Sequence, residues 1–325
     1  MLRRMANRLA LERVGVMIEE LKQRAESGDI RAQAEWGARL LVGREAPYAP
    51  QEGLRLIERA LAADDPYALQ FAAVLTALGH GRRQDWGEAL ALVKRAGALG
   101  DARAQAQLAL LGDGFDPGVW MRAAATVEQS ASPRVATVQG FIPPSWCSWL
   151  IEKARPQLSA ARVKNPVQGG ANTDSYRSNS GMGLSVIDTD LVIQLVHARI
   201  AATLGLGVMQ QEPTNILHYE VGEQYQPHFD YVDPGVAHFH RELMQIGQRV
   251  ATFLIYLNDE YEGGETAFPR LDWRFKGKAG DALIFWNVDA QGKPDPKTLH
   301  AGTAPTRGEK WLFSKWVRSK PVPLI

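Results

Sequence analysis

The chain has 325 residues, a length that about 100–200 residues per domain divides into two domains. Hydrophobic residues make up 45% and charged residues 22%, a globular balance that excludes disordered, collagen-like and membrane-spanning classes. Lys+Arg 37 against Asp+Glu 36 leave a net charge of +1, so no basic footprint points to nucleic acid or to a membrane surface.

The N-terminus opens with positive charge, but Glu12 and Arg13 interrupt its apolar stretch, so no signal-peptide core is expected. Residues 1–112 then carry 23 alanines but only Trp36 and Trp86 of the nine tryptophans. They also repeat. Asp29, Asp65 and Asp101 stand 36 residues apart, as do Ala32, Ala68 and Ala104, and Leu56 with Leu92. Self-similarity at that period predicts a helical-hairpin solenoid, with alanines letting paired helices approach closely. Gly28, Gly100 and Asp64-Asp65-Pro66 are the expected breaks between helices. The stretch resembles the Sel-like branch of the tetratricopeptide repeats over about residues 25–112. Two roles stay open for it: a concave surface that docks a protein or peptide partner, or a brace for the following domain.

Residues 113–133 lose the repeat and are expected to be a linker. From Arg134 onward the runs around Cys147 and Leu191 read as two amphipathic helices, the second with Asp188 and Thr189 as caps. Short β-type runs follow (TNILHY, QPHFDY, VATFLIYL, DALIFW, KWLFSKWV), separated by Gly, Pro, Asn and Asp. Helices followed by many short strands predict a jelly-roll sandwich with supporting helices.

Within these strands His228 and Asp230 sit at i and i+2, which on a strand puts both side chains on one face. An imidazole and a carboxylate so placed supply two ligands of a first-row metal, and a distant histidine would complete a two-histidine, one-carboxylate triad suited to non-haem Fe(II). His300 is the expected third member. Lys310 follows it ten residues later across a turn. A hairpin there would set His300 and Lys310 on neighbouring antiparallel strands, giving a fixed cation behind the metal for a cosubstrate's far carboxylate. A lone cysteine, Cys147, forms no internal disulfide and suits a cytoplasmic setting.

The runs RSNSGMGLSV, LHYEVGEQYQPHFDYV, RVATFLIYLNDEYEGGETAFP, KGKAGDALIFWN and LHAG…GEKW…W resemble, in order, the blocks of the Fe(II)- and 2-oxoglutarate-dependent dioxygenases of the prolyl 4-hydroxylase family. The resemblance covers about residues 134–320. It implies a double-stranded β-helix fold, with His228, Asp230 and His300 as iron ligands and Lys310 as anchor for the distal carboxylate of 2-oxoglutarate. Tyr219 matches the family tyrosine that reaches the same carboxylate, and Thr252 is a further member of the cosubstrate pocket. Tyr225, Arg249 and Trp316 align with the family's substrate groove. After His300 the chain departs from the family pattern, with proline one position later at Pro305. The implied reaction hydroxylates a prolyl residue of a peptide or protein, consumes O2 and 2-oxoglutarate, and releases succinate and CO2, with ascorbate as reductant.

Several residues are weighed and set aside. His218 with Glu220 is a second His-x-carboxylate pair, read as a strand residue. His238 and His240 are expected in a loop over the site. Asp233 opens a turn, Gly263 and Gly264 form another, and Trp273, Trp286 and Trp311 are core or rim aromatics. The expected fold class is therefore multidomain α and α+β: a helical solenoid (1–112), a linker (113–133) and a double-stranded β-helix domain (134–325). Two alternatives stay open: the same chemistry on another residue type or a small metabolite, and a non-catalytic interaction protein. Oligomeric state is left unassigned.

Overall fold

A computed structural model describes residues 2–160 and 177–323, with side chains described from residue 14 onward. The charges of Glu12 and Arg13 thus lie outside the described side chains. The described chain divides into two compact units, one reaching Trp120 and including Ser185–Leu195, the other holding Met121–Leu184 and the residues from Val196.

The first unit starts with α1 (Leu2–Glu26), α2 (Ile30–Val42), α3 (Pro50–Ala62), α4 (Pro66–Leu78), α5 (Trp86–Ala98), α6 (Ala102–Leu111) and the single turn α7 (Pro117–Trp120). The 36-residue phase has a local cause. Asp29, Asp65 and Asp101 each cap a helix by accepting from the backbone N–H of Ala32, Ala68 and Ala104 at 2.9, 2.9 and 2.8 Å, satisfying a donor the first turn leaves orphaned. Small residues then set the helix spacing. A Cβ on Gly53 would stand 2.5 Å from the Gly37 carbonyl, so α2 and α3 meet backbone to backbone. Ala34, Ala60 and Ala68 fill the next layer.

The segment Ser185–Leu195 packs with these helices although it lies within the expected second domain. Val186 and Ile187 cover the cluster of Leu41, Ile57 and Phe71, Arg44 pairs with Asp188 at 2.6 Å, and Gln107 accepts from the Leu191 N–H at 3.0 Å. Asp188 closes a short 3-10 turn with Ser185 rather than capping the next helix. The cap is Asp190, whose carboxylate accepts from the Ile193 N–H at 3.0 Å.

The second unit contains β1 (Val127–Ala131), β2 (Arg134–Val138), α8 (Pro144–Ala154), β3 (Ser159–Ala160) and β4 (Ser180–Leu184). Helix α9 (Leu191–Leu204) precedes β5 (Thr214–Tyr219), β6 (Tyr225–His228), α10 (His240–Ile246), β7 (Arg249–Tyr256), β8 (Glu262–Gly263) and β9 (Thr266–Phe268). The chain ends in β10 (Trp273–Phe275), β11 (Ala282–Trp286), β12 (His300–Gly302), β13 (Pro305–Arg307) and β14 (Lys310–Arg318). An eight-stranded sheet runs β1-β2-β11-β7-β14-β5-β4-β3 and a four-stranded one β10-β9-β12-β6. This is the double-stranded β-helix architecture.

Strand alternation sends Leu217 and Tyr219, Leu254 and Tyr256, and Leu283 and Phe285 into one core with Phe268. Phe253, Ile255 and Phe313 point to the opposite face and are buried as well, with Phe253 against Phe141 at 4.7 Å between ring centroids. Burial on both faces explains why β7 reads as a nearly unbroken apolar run. Two expectations are corrected. The stretch 113–133 is no plain linker, because β1 lies inside it and pairs with β2 at the sheet edge. His300 and Lys310 do not share a hairpin: β12 pairs with β6 and β9, whereas β14 pairs with β5 and β7. Between them the chain passes through β13, which pairs with β8, on its way from one sheet to the other. No described helix is long and apolar enough to cross a membrane.

Candidate active site

Register brings the site together. His228 on β6 and His300 on β12 are directly opposed Cα partners, and Asp230 follows two residues after His228. One ligand atom from each of the three lies within 4.8 Å of the others. The Nε2 of His228 stands 3.6 Å from Asp230 Oδ1, and the Nε2 of His300 stands 3.5 Å from Oδ2. The far nitrogens are committed: Nδ1 of His228 donates to the Gln226 carbonyl at 2.8 Å and that of His300 to the Thr298 carbonyl at 3.0 Å. Donation from Nδ1 leaves Nε2 with its lone pair in a neutral ring. Burial, with His300 alongside, pushes the His228 imidazole down to about 3. Burial alone would raise the Asp230 carboxyl, but His300, His228, the Thr252 hydroxyl and Arg249 outweigh it and hold it below the usual range. Two imidazole Nε2 atoms and a carboxylate facing one another form a cation site by the chemistry of their donor set.

His228, Asp230 and His300 line one cleft, whose wall also includes Tyr219, Tyr225, Leu217, Leu254, Leu312 and Trp316. Lys310 lines the same cleft. It is fully buried, and its Nζ has no hydrogen-bond partner among the described residues. Burial lowers its ammonium to about 7, against a small opposing pull from Glu265. Lys310 is the cross-strand partner of Tyr219, with its Nζ 5.2 Å from that ring's centroid. Gly302 leaves room for this pair, since a Cβ there would come within 3.3 Å of the Tyr219 hydroxyl. A buried ammonium without a partner, aimed into a cleft, fits an anionic ligand.

Two expected site residues do other work. Thr252 is absent from the cleft wall. Its hydroxyl donates to Asp230 Oδ2 at 2.7 Å, so it touches the carboxylate rather than a cosubstrate pocket. Arg249 also stays out of the wall, because its guanidinium is held by Glu212 at 2.7 and 2.9 Å and lies 3.6 Å over the Trp316 ring. It also donates to the Asp230 carbonyl at 3.4 Å. Tyr225 stacks on His228 at 3.4 Å between centroids, and Arg177 covers the Tyr225 ring at 4.5 Å. Trp316 lines the cleft with its indole N–H unpartnered.

The residues set aside fall away from this cluster. His218 bonds Ser180 at 3.1 Å and Glu309 at 2.8 Å and stacks on Trp311. His240 leads α10 rather than a loop and bonds the Pro234 carbonyl at 2.9 Å. Asp233 accepts from the Gly235 N–H at 2.8 Å, as a turn residue does. Gly263 and Gly264 take φ of 67° and 68°. Trp286 carries Arg134 at 3.7 Å. Arg177, Asn215, Thr266 and Ser314 also line the cleft, with Glu212 and Asn287 behind it, and sequence reasoning singled out none of them. Of these, Arg177, Thr266 and Asn287 stand inside family-like blocks, which is the signal the sequence carried for them.

These geometries define a double-stranded β-helix with a two-histidine, one-carboxylate cluster beside a buried lysine. The model of the 2OG-Fe(II) oxygenase superfamily matches residues 214–318. Prolyl 4-hydroxylase 1 of Arabidopsis thaliana is 35% identical over 205 residues, covering 59% of this chain and 71% of that protein. Among solved structures, a viral collagen prolyl hydroxylase from Paramecium Bursaria Chlorella virus-1 is 25% identical with a TM-score of 0.44, covering 56% of this chain and 94% of that one. A Sel1 repeat protein from Oxalobacter formigenes is 30% identical with a TM-score of 0.25, covering 28% of this chain and 68% of that one. The chain belongs to the prolyl 4-hydroxylase family of 2-oxoglutarate- and Fe(II)-dependent oxygenases. It is thus a dioxygenase whose cofactor is Fe(II) and whose cosubstrates are 2-oxoglutarate and O2.

Proposed function

We propose that this protein hydroxylates a prolyl residue in a peptide or protein, with Fe(II) held by His228, Asp230 and His300 and the distal carboxylate of 2-oxoglutarate held by Lys310 and Tyr219. One observation carries the reading: two imidazole Nε2 atoms and a carboxylate converge in the same cleft that Lys310, buried and without a hydrogen-bond partner among the described residues, lines. When bound, the iron supplies oxidative decarboxylation of 2-oxoglutarate to succinate and CO2, coupled to C–H hydroxylation.

The chain's own residues do the rest. The carbonyls of Gln226 and Thr298 keep both imidazoles in the ligating tautomer. Lys310 meets the cosubstrate carboxylate by charge, and the Tyr219 hydroxyl adds a donor beside it. Leu217, Leu254 and Leu312 keep the cleft apolar, which strengthens that ion pair and limits water at the metal. Trp316 lines the cleft and offers an aromatic surface for a proline ring, while Tyr225, held between His228 and Arg177, contributes its ring edge and hydroxyl. The Arg249 guanidinium, stacked on Trp316 and tied to Glu212, stiffens that wall rather than standing free for a peptide carbonyl.

Finer points are carried by the family and the sequence. Ascorbate is the reductant that restores iron after uncoupled turnover. The helical unit docks a polypeptide substrate, as stacked helical hairpins offer an extended surface. The setting is cytoplasmic, supported by the unpaired and buried Cys147.

The test is anaerobic addition of Fe(II) and 2-oxoglutarate to the purified protein, read by the visible metal-to-ligand charge-transfer band. Succinate is then measured after air and proline-containing peptides are added. A band with peptide-stimulated succinate is the expected result. A band that no peptide stimulates keeps the oxygenase and rejects the prolyl substrate; no band rejects the metal assignment.

A further inference from the structure

Asn287 lies just past β11, with its backbone pinned on both sides: its N–H donates to the Val250 carbonyl at 2.9 Å, and its carbonyl accepts from the Asp295 N–H at 3.0 Å. Its side chain is fully buried. The amide Nδ2 stands 3.0 Å from Thr252 Oγ1, which in turn stands 2.7 Å from Asp230 Oδ2. Thr252 is 1% exposed and Asp230 4%, so no solvent competes along this line.

The direction of the chain is forced by donor and acceptor inventory. As a metal ligand Asp230 is a carboxylate and can only accept, so the proton between it and Thr252 belongs to Thr252. A threonine has one such proton, and it is spent. The atom of Asn287 that faces Thr252 must therefore be the amide nitrogen, which only donates. Donation runs one way, from Asn287 to Thr252 to Asp230. The other end of the amide, Oδ1, is buried without a hydrogen-bond partner among the described residues. A fold selecting for stability alone has no use for a half-satisfied buried amide, because an apolar side chain of the same shape leaves nothing unpaired.

We propose that Asn287 is a positioning residue for the metal site: by occupying the Thr252 acceptor lone pair, it commits the Thr252 proton to Asp230 Oδ2 and fixes the orientation of that carboxylate for the metal. Asn287 touches neither metal nor substrate and acts only through Thr252. This inference rests on Asp230 being a ligand, as proposed above.

The test titrates Fe(II) alone, anaerobically, into the full chain, with Co(II) absorption as a second probe of geometry. Thr252→Val and Asn287→Leu should each weaken metal binding by about tenfold or more, as loss of a group bonded to a ligand typically does. Thr252→Ser, which keeps the hydroxyl, should bind as the wild type does. In the Thr252→Val background Asn287→Leu should add no further loss, because the relay is already cut. Melting of the metal-free proteins gives an independent readout: Asn287→Leu should melt no lower than the wild type while binding metal more weakly. An Asn287→Leu protein that binds Fe(II) within about twofold of wild type, or losses that multiply in the double variant, overturns the inference alone. A wild type that takes up no Fe(II) overturns the ligand assignment and this inference together.

Discussion

The unpartnered ammonium of Lys310 makes cosubstrate affinity depend on pH in a calculable way. Without an anion in the cleft, burial sets Lys310 at about 7. At about pH 6 roughly nine-tenths of the protein then carries the charge that the 2-oxoglutarate carboxylate needs, and at about pH 8 roughly one-tenth does. Once the carboxylate is bound, the pair holds its proton well above this range. Affinity for 2-oxoglutarate should therefore fall about tenfold from pH 6 to pH 8, about 1.4 kcal/mol. The assay is anaerobic calorimetric titration of 2-oxoglutarate into the Mn(II)-loaded protein across that range. Lys310→Arg supplies the control, since a guanidinium does not titrate there; its binding should be weaker but flat with pH. A wild-type affinity that is constant or rises from pH 6 to pH 8 would refute the reasoning.

The same shift has a stability consequence of fixed sign. The folded-state value of Lys310 lies below its ordinary 10.5, so the cost of the buried charge is fully present below pH 7 and disappears as pH rises towards 10.5. Lys310→Met should raise the stability of the metal-free protein by about 2–5 kcal/mol near pH 6, with the gain vanishing near pH 10.5 in urea melts. His228→Ala and Asp230→Ala should abolish 2-oxoglutarate turnover and Fe(II) uptake, whereas His218→Ala should keep its iron; iron loss in His218→Ala alone would invert the ligand assignment. Gly302→Ala should raise the 2-oxoglutarate requirement several-fold by crowding the Tyr219 hydroxyl, with little change in iron affinity, and an unchanged requirement would remove Tyr219 from the pocket. Asp65→Ala should cost the helical unit about 1 kcal/mol through loss of the α4 cap, measured by denaturant unfolding.

Much of the molecule was legible because the relevant physics is local. The 36-residue phase follows from an aspartate that caps the same turn each time, and capping needs only residues three apart. His228 and Asp230 are only two residues apart, and although β6 stops at His228 rather than carrying both on one strand face, that short spacing reveals two ligands before any fold is known. The unbroken apolar run of β7 likewise announces a strand covered on both sides. The resemblance then named His300, Lys310 and Tyr219 at positions that meet in one cleft.

What tertiary structure decided is everything that depends on which strands become neighbours. The ten-residue step from His300 to Lys310 suggested a hairpin, but the intervening stretch, with β13 paired to β8, crosses from one sheet to the other, and no local pattern distinguishes those outcomes. Ser185–Leu195 packs with the helical repeats because Val186 and Ile187 cover their core, a fact of burial that a linear division at residue 133 cannot contain. Arg249 is bound to Glu212, 37 residues earlier in the chain, and Asn287 reaches Asp230 only through Thr252. Hydrogen bonds are short-ranged and directional, so partners distant in sequence are chosen only when the fold brings donor and acceptor within about 3 Å. The sequence thus determined which groups could carry the chemistry, and the fold decided which of them hold the others in place.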